Sequence, residues 1–199
     1  MLFVKGGLMP PRVRIDKKDI VDAAVNIVRI AGAGALNARS LATALGCSTQ
    51  PIFSNFQSMD ELNVELTKAA YGVYQSFIDR EVKKERYPIY KAYGMAYICF
   101  AREESELFKL LFMCDRRGAE SAPNSDFYAS VEMIMNANGF DRARAELFHL
   151  EVWSATHGIA TMIATAFLDL GEELISRILS DVYNGVRQRQ MMEAANDGD

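Results

Sequence analysis

Few side chains in this 199-residue sequence have the type and spacing for covalent chemistry. Glu146 and His149 stand three apart, the Glu-x-x-His spacing that sets two ligands on one helix face in di-iron bundles. Such a centre needs a second copy, and the chain has only two histidines. No metal is expected there, and the two read as a polar pair on a helix. His157 follows Trp153 by one helical turn, where an imidazole suits either a ligand cavity or a core position held by a backbone carbonyl. Cys47, Cys99 and Cys114 are odd in number, widely spaced and set among apolar residues. They read as buried free thiols of a reducing compartment, not as a disulfide frame or a zinc site. No Ser-His-Asp, Cys-His, paired-carboxylate or glycine-rich phosphate arrangement can be assembled, so neither an enzyme nor a cofactor is expected.

Non-covalent chemistry is better represented. The stretch "LGCSTQPIFSNF", residues 45–56, groups small and uncharged polar residues around one brief helix. Thr49, Gln50 and Ser54 fall on its outer side, while Ile52 and Phe56 face Ala42 and Leu45 of the preceding helix. Short neutral donors and acceptors suit base edges in a major groove, and a Gln amide can pair bidentately with adenine. Gly46 permits the tight turn between the two helices, and Cys47 and Ser48 are small enough for a close crossing. That is the arithmetic of a helix-turn-helix.

The elements that must position this face are helical throughout. Half of the residues are hydrophobic, and clear period-two strand runs are scarce. Asp16 caps a first helix with apolar positions at Ile20, Ala23, Ala24, Ile27 and Ala31, ended by Gly32 and Gly34. A second helix runs from Asn37 to Gly46, and Ser48 caps a third, with Pro51 tolerated in its first turn. "SMDEL" is a capping box, Ser58 with Glu61, opening a long helix that Pro88 interrupts. Further helices are expected over 88–102, 105–114, 125–138, 142–170 and 172–189, with a loose stretch between the sixth and seventh and a frayed tail. The longest nearly apolar run, residues 158–168, is too short for a membrane span, and no secretory signal is seen, so a cytoplasmic protein is expected.

Charge is unevenly placed. Residues 1–60 hold seven Lys or Arg against four Asp, whereas the remainder carries a net charge of −7. One small segment is therefore suited to a polyanion while the larger body stays acidic.

The segment "LNARSLATALGCSTQPIFSNFQSMDEL", with one helix before it and a long one after, resembles the DNA-binding domain of the TetR family of bacterial regulators. The likeness covers roughly residues 16–66. "YKAYGMAYICFAREESELFKLLFM" and "WSATHG" further resemble the ligand-binding half of one branch, marked by Trp-x-x-x-His-Gly. The resemblance implies an all-α chain: a basic arm over 1–15, a helix-turn-helix domain over 16–62, a ligand-binding and dimerisation domain over 63–192 and a tail over 193–199. The family's recognition positions fall on Ser48, Thr49, Gln50, Pro51 and Ser54, and its helix-leading residue on Arg39, placed to hold a phosphate. Three positions depart from the family. Its phosphate-reaching Tyr is Phe53, its His is Asn55, and the Lys before the long helix is Met59. Each change alters or removes a polar contact, so backbone grip shifts toward Arg12, Arg14 and Lys17.

For the body, Tyr93, Tyr97, Phe100, Phe108 and Phe112 with Met113, Met133, Met135 and Met162 give a soft aromatic and thioether interior. All of these except Met135, together with Trp153 and His157, are the candidate lining of an adaptable apolar pocket. The helix over 142–170 is apolar almost all round and so must be buried on several sides. The last helix shows a stripe of Leu174, Ile175, Ile178, Leu179, Val182, Tyr183 and Val186. With Ile163 and Phe167 this stripe is the candidate interface of a homodimer. The expected function is a homodimeric regulator, probing a roughly palindromic double-stranded DNA operator and released by a small apolar or aromatic molecule. The rivals are a helical interaction adaptor or small-molecule carrier without specific DNA binding.

Overall fold

The computed structural model describes residues 15–115 and 125–196, and these are all-helical. The elements are α1 Lys17–Ala31, a 3-10 turn Ala33–Ala35, α2 Ala38–Ala44, α3 Gln50–Asn55, α4 Met59–Lys83, α5 Ile89–Glu103, α6 Ser105–Phe112, α7 Ser125–Asn138, α8 Arg142–Ala164 and α9 Glu172–Asn196. Arg12 and Arg14 lie outside the described residues.

Local chemistry sets the ends of the first helices. Asp16 accepts the Asp19 N–H at 2.9 Å while the Asp19 carboxylate accepts the Asp16 N–H at 3.0 Å, a reciprocal cap on α1. Asn37 does the same for α2, accepting the N–H groups of Arg39 and Ser40, both at 3.0 Å. Gly46 then turns left-handed, with φ +61°, and the Cys47 N–H reaches back to the Ala42 carbonyl at 2.9 Å. A Cβ is strained in that region, so glycine ends α2 cleanly. Ser48 does not cap α3. Thr49 precedes that helix without any side-chain cap bond, because it already has a helical backbone and its hydroxyl cannot swing over the first turn. At α4, Ser58 accepts the Glu61 N–H at 3.2 Å, but Glu61 takes the N–H of Gln57, at 2.6 Å, instead of that of Ser58.

Two corrections concern the last helices. The helix expected over 142–170 stops at Ala164. Thr165 bonds back to the Thr161 carbonyl at 2.8 Å, Ala166 turns left-handed at φ +54°, and the Phe167 N–H closes on the Met162 carbonyl at 2.9 Å. This is a C-terminal cap built without glycine. Helix α9 continues to Asn196, through four of the tail residues expected to fray.

Packing joins these pieces into one body. Helix α4 lies against α5, α5 against α8, and α8 against both α7 and α9, while α1 rests on α4 and α6. The main core runs without interruption from Ile20, Val28, Leu41, Ile52, Phe56 and Leu62 through Phe77, Phe100 and Phe108 to Ile159, Ala160 and Leu179. A smaller cluster of Val131, Ile134, Phe140, Phe148 and Val152 joins α7 to α8. The expected boundary near residue 62 falls inside α4, between two stretches of one core. None of the described helices is long and apolar enough to cross a membrane.

Candidate functional site

Two regions have geometry suited to recognition. The first is the head formed by α1, α2 and α3. Ile20, Ala24, Leu41, Ala42, Ile52, Phe56 and Leu62 are buried beneath it. That miniature core fixes the direction of α3. Ser48, Gln50 and Ser54 are exposed, Thr49 and Pro51 are half-buried, and Phe53 is 50% exposed. Arg39 is exposed at the start of α2. The polar positions read from the sequence thus share one outward side, but two of them already have bonds inside the chain. Ser54 donates its hydroxyl proton to the Gln50 carbonyl at 2.9 Å, which leaves it an acceptor. Asn55 is turned inward, donating to the Pro51 carbonyl at 2.8 Å and to that of Ile15 at 3.4 Å. Its role here is to tie the end of α3 to the start of α1.

Cations at the head are few and partly engaged. Lys17 pairs with Glu61 at 3.2 Å and lies 4.9 Å from the centre of the Phe56 ring. The Gln57 N–H and this lysine hold the Glu61 carboxyl below the ordinary carboxylate range. Lys18 pairs with Asp22 at 2.6 Å.

The second region is a cavity of about 850 Å³ in the body, walled by α4, α5, α7, α8 and α9 with the end of α6. Helices α5 and α8 face each other through two tyrosine–histidine rungs. The Tyr90 hydroxyl lies 2.9 Å from His149 Nδ1, and the Tyr97 hydroxyl 2.8 Å from His157 Nδ1. The Phe127 ring meets His149 edge-on at 5.0 Å, and Trp153 stacks on His157 at 5.0 Å. Burial pulls the His149 pKa down to about 4 and lowers that of His157. Burial also pushes the Tyr74 and Tyr90 phenols up, so both present neutral hydroxyls near pH 7. The Asp126 carboxyl, beside the Tyr71 hydroxyl, is raised by its partial burial.

Of the ten pocket residues read from the sequence, Tyr93, Tyr97, Phe112, Met133 and Trp153 line the cavity. Phe100 and Phe108 are fully buried in the main core behind it, and Met162 packs against that core. His157 stands behind Tyr97 and Trp153, and Met113 is 41% exposed beyond the wall. Sequence reasoning missed Tyr74, Tyr90, Lys91, Phe127 and His149, all of which contribute to the lining. A signal was present: Tyr90, Tyr93 and Tyr97 repeat along one face of α5, as His149, Trp153 and Thr156 do on α8. The Glu146–His149 pairing is not formed. His149 bonds Tyr90, and Glu146 lies 3.9 Å from Arg142. Among the described residues no cluster of metal-ligating side chains occurs. The cysteines are free but less buried than expected, with Cys47 and Cys99 half-buried and Cys114 exposed.

The candidate interface residues separate into three groups. Leu174 and Phe167 are exposed, at 47% and 75%, and Ile163 and Ile178 are half-buried. Leu179 is 4% exposed and lines the cavity, so its own chain covers it. Val182, Tyr183 and Val186 pack against the smaller core. Helix α8 is not buried all round, since Leu147, Leu150 and Trp153 are 46%, 51% and 41% exposed.

Comparison with known proteins places this geometry. No curated protein matches the chain in sequence. A solved structure described as a protein with unknown function from Rhodococcus sp. RHA1 shares the fold. Its TM-score is 0.66 at 20% identity, over 88% of this chain and 97% of that one. Residues 90–181, which span α5 to the middle of α9 and hold most of the cavity wall, match the tetracyclin repressor-like C-terminal domain. Behind the three-helix head, the chain thus carries a domain similar to the C-terminal domain of tetracyclin repressor-like proteins.

Proposed function

We propose that this chain is a homodimeric repressor that reads a roughly palindromic DNA operator and leaves it when a small apolar or aromatic molecule fills the body cavity. The observation that carries the reading is the outward face of α3. Gln50 and Ser48 are exposed above a buried miniature core, and the Arg39 cation is exposed at the start of α2. Two such faces related by a dyad would meet successive major grooves. Exposed apolar residues on α8 and beyond it, Leu147, Leu150, Phe167 and Leu174, support pairing with a second copy. Sedimentation of the purified protein is expected to give a dimer, and a monomer at micromolar concentration would contradict it.

Contacts between cavity and head support a coupled response. Phe112 on the cavity wall and the buried Leu107 and Phe108 belong to α6, on which α1 rests. The Arg29 Nε donates to Glu104 at 2.7 Å across the same junction. At Gly32 a Cβ would meet the Glu106 carboxylate at 2.8 Å, so the end of α1 sits directly against α6. A ligand that binds one placement of α6 better than another would shift the spacing of the two heads.

The test is a gel shift with DNA from the protein's own genomic neighbourhood at two salt concentrations. Gln50→Ala is expected to relax discrimination at one base position by about 1–3 kcal/mol, whereas Arg39→Ala weakens operator and random DNA alike. Equal losses from both variants on both DNAs would remove the base-reading role of α3. Absence of any specific shift would favour the adaptor or carrier reading.

A further inference from the structure

The geometry points to an effector that carries a carboxylate, seated with that group at Lys91 and its apolar body among the aromatic rings of the cavity. This rests on the body cavity being the effector site. Lys91 lines the cavity between α5 and α9 and is half-buried. Its ammonium donates to the Ser180 hydroxyl at 2.7 Å and lies 4.7 Å from the centre of the Tyr87 ring. The Ser180 hydroxyl in turn donates to the Ser176 carbonyl at 3.1 Å, so it serves as a fixed acceptor that orients the lysine. Among the described residues no carboxylate comes within ion-pair distance of Lys91, whereas most other lysines there have such a partner.

An ammonium has three donors, and here one is spent on Ser180. Partial burial costs the charged form some hydration, which lowers the lysine's pKa without any acid to restore it. An arriving anion supplies the missing partner, and the lysine's place in the first turn of α5 adds the positive end of that helix. The acidic side chain on the wall, Asp126, stands on α7 beside Tyr71 of α4, a different wall from Lys91. The remaining lining is dominated by Tyr74, Tyr90, Tyr93, Phe112, Phe127 and Trp153, which accept flat or flexible apolar groups. A cation without an acidic partner in a largely apolar chamber selects an amphipathic acid over a neutral or cationic molecule of the same shape.

The protein carries its own reporter. Trp153 is its sole tryptophan and lines the cavity, so its fluorescence reads occupancy. The probes are matched triplets of acid, primary amide and amine on naphthalene, biphenyl and dodecyl frames, titrated into full-length protein. At least one acid is expected to bind about tenfold tighter than its amide. Lys91→Met should erase that preference, Lys91→Arg should keep it, and thermal melts of both should show them folded. Amides binding as well as their acids would overturn the carboxylate anchor while leaving the cavity as an effector site. Amines binding best would overturn it in favour of Asp126. If no probe on any frame changed the fluorescence or the melting temperature, the effector cavity itself would fall, and the anchor with it.

Discussion

Phe108→Ala is expected to lower the free energy of unfolding by about 3–5 kcal/mol, the cost typical of emptying a buried aromatic site. The ring is fully buried and stands 5.2 Å from that of Tyr97, 5.4 Å from Phe112 and 6.1 Å from His157. The cavity left behind cannot be filled by collapse, because the surrounding rings are held by one another and by the Tyr97–His157 bond. Edge-to-face contacts add to the loss beyond the buried area. Stability of a domain is only about 5–15 kcal/mol, so the variant should be close to the edge of folding at physiological temperature. Since Phe108 belongs to the same core as Ile20, Leu41 and Ile52, the loss should appear in the head and the body together, as one earlier transition in urea. Phe108→Leu should cost distinctly less, because a branched aliphatic fills part of the space. A drop below about 1 kcal/mol for the alanine variant, or a head that unfolds independently, would show that the core is less continuous than its packing indicates.

The sequence reading and the structure agree best where the causes are local. Asp16, Asn37 and Ser58 cap their helices because each needs only the three residues that follow it, and Gly46 turns because a left-handed residue was required there. The end of α8 was not legible, since its left-handed residue is Ala166 and no glycine or proline marks it. The cavity was half legible for a different reason. Phe108 and Phe112 lie one turn apart on α6 and look alike in sequence, yet one is sealed in the core and the other lines the wall. Which one is sealed depends on how α1, α4, α5 and α8 close over α6, a tertiary fact that no periodicity contains. Lys91 was invisible as a recognition residue, because a lone lysine in an amphipathic helix normally points into solvent. Its missing acidic partner becomes apparent only when α9 is placed beside it.

His149 makes the stability of the fold depend on pH. Burial among Tyr90, Phe127 and the walls of the cavity draws its pKa from 6.5 to about 4, and only 9% of the residue is exposed. The unfolded chain therefore binds the proton more readily than the folded one between these values. Stability from this residue is complete above pH 6.5, is lost as pH falls toward 4, and changes no further below that. The gap corresponds to about 3 kcal/mol in total, of which about 2 kcal/mol should be gone at pH 5. His149→Gln keeps a polar group near Tyr90 without a titrating ring. It is expected to start less stable at pH 7 and to lose much less on acidification. The slope that remains belongs partly to His157, whose pKa is shifted in the same direction, while the raised Asp126 carboxyl works in the opposite sense. Urea unfolding at pH 7 and pH 5 for both proteins measures the difference. Parallel losses in the two would mean that water reaches the His149 ring and that this side of the cavity is wetter than its packing implies.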